Sequence, residues 1–192
     1  CGVFRRWRLG DGIGAVLFGL LLGVRLAQVT AGQWTAFPPA VQAGLAAFLF
    51  PTRRAETATA NGRRKLVAWL AAVLPFGLQP GRDADGWMVL AFGGVLFSLW
   101  GLASLGRSFG IAPADRGLVT GGAYRWVRHP MYAGELLSFV AVTLSNPIPW
   151  NGILLIAIIL IFVLRIGWEE RILKGYAAYC RQVRWRLLPG IW

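Results

Sequence analysis

The chain has 192 residues, 56% of them hydrophobic and 15% charged, with a formal net charge of +12. That length suits one domain, and so apolar a balance belongs to a membrane protein rather than a soluble one. The basic residues lie between apolar runs and form no nucleic-acid motif, so the charge does not point to a nucleic-acid partner.

The opening segment, Cys1 to Gly10, carries Arg5, Arg6 and Arg8. The chain begins at Cys1 rather than Met, so the natural N-terminus is expected upstream; no cleavable leader is read from the first apolar run. A first span is expected over about Gly12 to Thr30, with Arg25 near enough to its far end to snorkel. A second runs from about Phe37 to Pro51, short and opened by Pro38-Pro39. The next connection carries Arg53, Arg54, Arg63, Arg64 and Lys65 against Glu56, and is expected to be a solvated loop facing the lipid surface. A third, short span covers about Leu66 to Gln79. Arg82, Asp83 and Asp85 follow, and then the clearest span, Gly86 to Gly106, which has no charge.

The connection after it carries Arg107, Arg116, Arg125 and Arg128 against Asp115. Leu136 to Leu164 is again free of charge, and Pro147 and Pro149 break it into a helical hairpin. The tail holds Arg171, Lys174, Arg181, Arg184 and Arg186 against Glu169 and Glu170. Every second connection is thus strongly basic. The positive-inside rule puts both termini and the Arg125–Arg128 stretch in the cytoplasm. The expectation is an all-α, polytopic transmembrane bundle of about five to six spans, integral to the membrane (the inner membrane, in a bacterium), forming a single domain.

The only histidine, His129, stands in "YRWVRHPMYAGEL". Pro130 suits the first turn of a helix, and the residue before a proline favours extended geometry. His129 is therefore expected where a loop meets the fifth span, with Tyr132, Gly134 and Glu135 in its first turns. Gly134 would admit a close neighbour, either another chain segment or a flat ligand. Glu135 is expected to favour the helix N-terminus. In the sixth span Arg165 and Glu169 lie one turn apart. Glu169 and Glu170 together oppose the dipole at a helix C-terminus, so a cation should offset them: Arg165, tail arginines or a bound cation. The hairpin brings His129, Tyr132 and Glu170 to one membrane face. Such a pocket suits a cationic, hydrogen-bonding ligand. Cys1 and Cys180 have no metal-ligand spacing, and neither a metal nor a disulfide is expected.

"RHPMYAG", an apolar hairpin and then "EE" resemble the signature of integral-membrane methyltransferases of the isoprenylcysteine carboxyl methyltransferase and phospholipid methyltransferase type. The lead-in from Ser104 to Pro130 and the tail from Tyr179 to Trp192 are similar to those of bacterial members. The resemblance makes residues 86–192 the catalytic half and residues 1–85 a variable set of spans. It implies S-adenosylmethionine as cofactor, bound in a cytoplasmic pocket by His129, Tyr132, Gly134 and Glu170, with Tyr124, Arg125 and Arg128 as further contacts. It implies Arg165 and Glu169 as the catalytic residues, Glu169 next in line as a cofactor contact and Arg165 near the methyl acceptor, a lipophilic or small molecule bearing a carboxylate, amine or thiol. Membrane lipids are the surroundings, and with the acceptor the expected partners.

Plainer readings stand beside these. Arg125 and Arg128 read equally well as positive-inside anchors, and Glu169 as a structural partner of Arg165. Most of the ten tryptophans read as interface anchors. Tyr176 and Tyr179 either close over a cofactor or simply pack. A nicotinamide-dependent enzyme like the sterol reductases, and a non-enzymatic membrane protein with a degenerate site, are the alternatives.

Overall fold

The computed structural model describes residues 9–32, 37–59, 61–79, 81, 86–190 and 192. The basic opening segment with Cys1, and the Arg82, Asp83 and Asp85 connection, lie outside the described residues. Among those described are seven α-helices: α1 (Leu9–Thr30), α2 (Phe37–Thr52), α3 (Gly62–Val73), α4 (Gly86–Leu105), α5 (Pro130–Ser145), α6 (Pro149–Ile172) and α7 (Tyr176–Gln182). Three of them, α1, α4 and α6, are long and apolar enough to cross a membrane. The second, third and fifth expected spans form as α2, α3 and α5, at 16, 12 and 16 residues. Each is shorter than the roughly 20 residues a crossing needs.

The hairpin expected from α5 and α6 forms, with its break at residues 146–148. However, α5 lies mainly along α4 and touches α6 only sparsely. Small residues cause this, as they do between membrane helices generally. A Cβ on Gly94 would fall 2.5 Å from Ser138 Oγ and 2.7 Å from the Gly134 carbonyl oxygen. One on Gly101 would fall 2.6 Å from the Met131 backbone nitrogen. Ser138 uses the closeness to donate to the Ala91 carbonyl, at 2.9 Å.

The basic connections gather at one end of the bundle. Arg53, just past α2, pairs with Asp11 in the first turn of α1. The Arg54 amide donates to the Arg107 carbonyl at 2.6 Å, and Arg107 Nε returns a bond to the Thr52 carbonyl at 2.7 Å. Ala58–Thr59 (β1) then pairs antiparallel with Ala114–Asp115 (β2). The stretch expected as a solvated, lipid-facing loop over residues 53–65 is mostly exposed, but it is tied down. Its first half is bonded to the connection between α4 and α5, and only its second half opens α3, where Arg64 lies over the Trp168 ring at 5.5 Å. At the other end, Asn151 is fully buried and bonds both the amide and the carbonyl of Gln79, at 3.0 and 2.8 Å.

Since α4 and α5 are held by backbone contact at glycine, Gly94→Ala is expected to cost about 1–3 kcal/mol through overpacking. Thermal unfolding in detergent, compared with wild type, measures it.

Candidate functional site

Pro130 starts α5, and His129 before it has left the helical region, with φ −132° and ψ 62°. Nothing in that local geometry fixes the loop; a distant segment does. The amides of Arg128 and His129 donate to the carbonyls of Trp185 and Arg186, each at 2.8 Å. Residues after α7 thus run beside the start of α5 and hold it by main-chain bonds.

Glu170 ties the same three segments together through side chains. Arg186 grips it bidentately, Nε to Oε1 and Nη2 to Oε2, both at 2.9 Å. Arg128 Nη1 reaches Oε1 at 3.2 Å. The Tyr176 hydroxyl donates to Oε1 at 3.1 Å and lies 3.1 Å from His129 Nε2. His129 protonated at Nε2 satisfies all three groups, the hydroxyl accepting from the ring and donating to the carboxylate. The bond to Glu170 keeps the Arg186 guanidinium more firmly protonated than usual. The cations that offset Glu170 are therefore a tail and a loop arginine.

Glu169 points elsewhere. It accepts from the Tyr132 hydroxyl and lies 3.8 Å from Arg165 Nη2 and 3.9 Å from His129 Nδ1. Arg165 is 5% exposed, a buried guanidinium. It sits 5.0 Å from the Tyr132 ring centre and donates to the Ile111 carbonyl at 2.7 Å. The His129 and Tyr132 rings are stacked with centroids 5.8 Å apart.

These groups border a cavity of about 80 Å³ between α6, α7, the start of α5 and residues 108–119. Tyr124, Arg128, His129, Tyr132, Glu169 and Tyr176 all line it. Burial pushes the phenols of Tyr124, Tyr176 and Tyr179 far above the ordinary tyrosine range, so they stay neutral. Tyr179 donates to the Tyr124 carbonyl at 2.6 Å, fixing the 3₁₀ turn Gly122–Arg125 against α7.

Residues 85–178 match the family model for phospholipid methyltransferases. These residues belong to the phospholipid methyltransferase family. No curated protein matches it. The matched residues of this methyltransferase span α4 to the start of α7. They leave out α1 to α3 and the Arg186 segment.

Of the residues expected at the site, His129, Tyr132, Tyr124, Arg128 and Glu169 meet at the cavity wall. Arg165 stands just behind Tyr132 and Glu169. Glu170 lies beneath the site, its oxygens occupied by Arg186, Arg128 and Tyr176. Gly134 does not reach the cavity, which corrects its expected place there. The close neighbour it admits is α4, since a Cβ would meet the backbone of Ser98 and Gly94. Glu135 makes no helix-capping bond; it faces a second, larger cavity. Arg125 does not line the smaller cavity either.

The sequence reading had not singled out Arg186 or the 108–119 wall. Arg186 was one arginine among many in the tail. The wall is braced by a buried ion pair, Arg116 Nη2 to Glu56 Oε2 at 2.9 Å, across 60 residues of sequence.

Glu170→Ala is expected to release the Trp185–Arg186 segment, because charge-assisted bonds contribute about 1.5–3 kcal/mol each. Hydrogen exchange at the His129 and Arg128 amides should accelerate at least tenfold while amides in α4 stay protected.

Proposed function

We propose that this methyltransferase moves a methyl group from S-adenosylmethionine to a lipophilic or small acceptor at the cytoplasmic face of the membrane. One observation carries the reading. Within the family-matched half, an anionic carboxylate (Glu169) and the aromatic faces of His129, Tyr132 and Tyr176 line one cavity at the basic end of the bundle. That end is the cytoplasmic one under the positive-inside rule.

The donor set fits the cofactor. A carboxylate and aromatic faces stabilise sulfonium and ammonium groups. The neutral Tyr124 and Tyr176 hydroxyls and the His129 ring offer hydrogen bonds and stacking for a purine. The enclosed space, about 80 Å³, is below the roughly 300–1,000 Å³ of small-molecule sites. Binding therefore requires the site to widen. Glu56 and Thr57 hold the 108–119 wall by side-chain bonds to Arg116 and Asp115, beside the main-chain pairing of β1 with β2.

Once bound, the cofactor supplies an electrophilic methyl group on a sulfonium. The protein's part is positioning and exclusion of water, which are large effects in an in-line displacement. Glu169 sets the position of the cationic centre, and Tyr132 fixes Glu169. Arg165, on the inner side of that pair, faces the acceptor. Glu170 acts at one remove, by holding His129, Arg128 and Tyr176 in place. Gly134 serves the α4 contact.

Isothermal titration of the purified protein with S-adenosylhomocysteine, beside a nicotinamide dinucleotide, tests this. Adenosylhomocysteine alone should bind. His129→Ala and Glu169→Gln should each weaken that binding about tenfold or more, with unchanged melting. Absence of adenosylhomocysteine binding by well-folded wild type would overturn the reading.

A further inference from the structure

A second cavity, about 600 Å³, lies deeper in the bundle, walled by α1 to α6. Gly110 and Met131 border both cavities. Three charged side chains reach the larger one: Arg165, Glu135 and Arg25. The charge of Arg165 is already engaged by Glu169 and the Ile111 carbonyl. Arg25 is not so engaged.

Arg25 is the only charge between Gly12 and Thr30. It follows Asp11 by 14 residues, roughly 21 Å along a helix, five residues short of the end of α1 at Thr30. Among the described residues its hydrogen bond goes from Nη1 to Oε1 of Gln28, a neutral amide on the same helix, at 2.9 Å. Among the described residues it has no carboxylate within ion-pair distance, Glu135 included. A guanidinium in a membrane helix without a counter-ion is costly, and such residues mark ligand sites or pathways. Its side chain lines the cavity, together with Gln28 and Gln42, and Gln42 is anchored to Ser98 at 3.1 Å.

The other lining residues are mostly apolar: Phe18, Leu21, Phe76, Val95 and Phe139 among them. A cation with spare N–H donors, set in an apolar chamber of this size, complements a chain-bearing anion.

We propose that Arg25 and Gln28 form an anion subsite in the inner cavity, holding the anionic group of an amphiphile whose hydrocarbon fills the chamber. Where that amphiphile is the methyl acceptor, which rests on the transferase reading above, Arg25 selects the acceptor without touching the reacting atoms. This selectivity would then come from α1, outside the family-matched residues.

The test uses the full-length protein in a neutral detergent and three probes of one chain length: oleate, methyl oleate and oleylamine. Oleate should bind at least tenfold more tightly than either of the others. Arg25→Gln should abolish the preference, and Arg25→Lys should keep part of it. Gln28→Leu, which leaves the charge in place, should weaken oleate about threefold. Melting temperature and adenosylhomocysteine binding should not change in any variant. Equal binding of oleate and methyl oleate, tighter binding of oleylamine, or a preference that survives Arg25→Gln would each overturn the subsite. Failure of wild type to bind adenosylhomocysteine would strike the transferase reading alone, since oleate binding is read without turnover.

Discussion

The site depends on one partly buried carboxylate and the cations gathered on it. Glu170 emerges at the C-terminal end of α6, where the helix dipole already disfavours negative charge. It is held by two arginines and a tyrosine from three places in the chain. Removing a single partner from such a cluster leaves buried charge exposed to a poor solvent, which costs more than the lost bond itself. The last helix, the loop before α5 and the tail are therefore obliged to meet. His129 is in place because that meeting brings Tyr176 and the Arg186 carbonyl to it. The adjacent Glu169 is thereby left free to turn the other way, toward Tyr132 and Arg165.

A second constraint works at the level of whole helices. Glycine and serine let α4 and α5 approach to backbone distance, and this pair is the stiff element of the family-matched half. By contrast α5 and α6 pack loosely, although they are neighbours in sequence. The space left between α5 and the other helices contributes to the larger cavity. Gly110 and Met131 stand between a small chamber at the basic end and a larger one within the bundle. Tight packing on one side of α5 and slack on the other make that division.

The sequence made some of this legible and hid the rest, for physical reasons. Apolar runs and prolines located the helices to within a few residues, since both signals are local. "RHP" and "EE" pointed to a shared site because a helical hairpin returns its two ends to one face. Gly134 misled, because a glycine's missing side chain says that something comes close but not what. The Arg53–Lys65 stretch is mostly solvated, as its charge says, but the bonds of its first half were hidden because its partners, Asp11, Arg107 and Asp115, are distant in sequence. Arg186 was hidden for the same reason among the tail arginines. Glu135 and Arg25 gave no hint of their cavity, since which way a helix face turns depends on every neighbour.

The main-chain bonds from Arg128 and His129 to Trp185 and Arg186 also bear on how the protein is made. These partners are 57 residues apart, on the order of 3–10 s of synthesis at ~5–20 residues per second. Everything from α1 to α7 has left the ribosome before the strap that fixes His129 exists. A nascent chain whose helices have been made still lacks the bonds that order the loop before α5. Order at His129 thus comes after the helices, so chains that stall earlier have no finished cavity wall there.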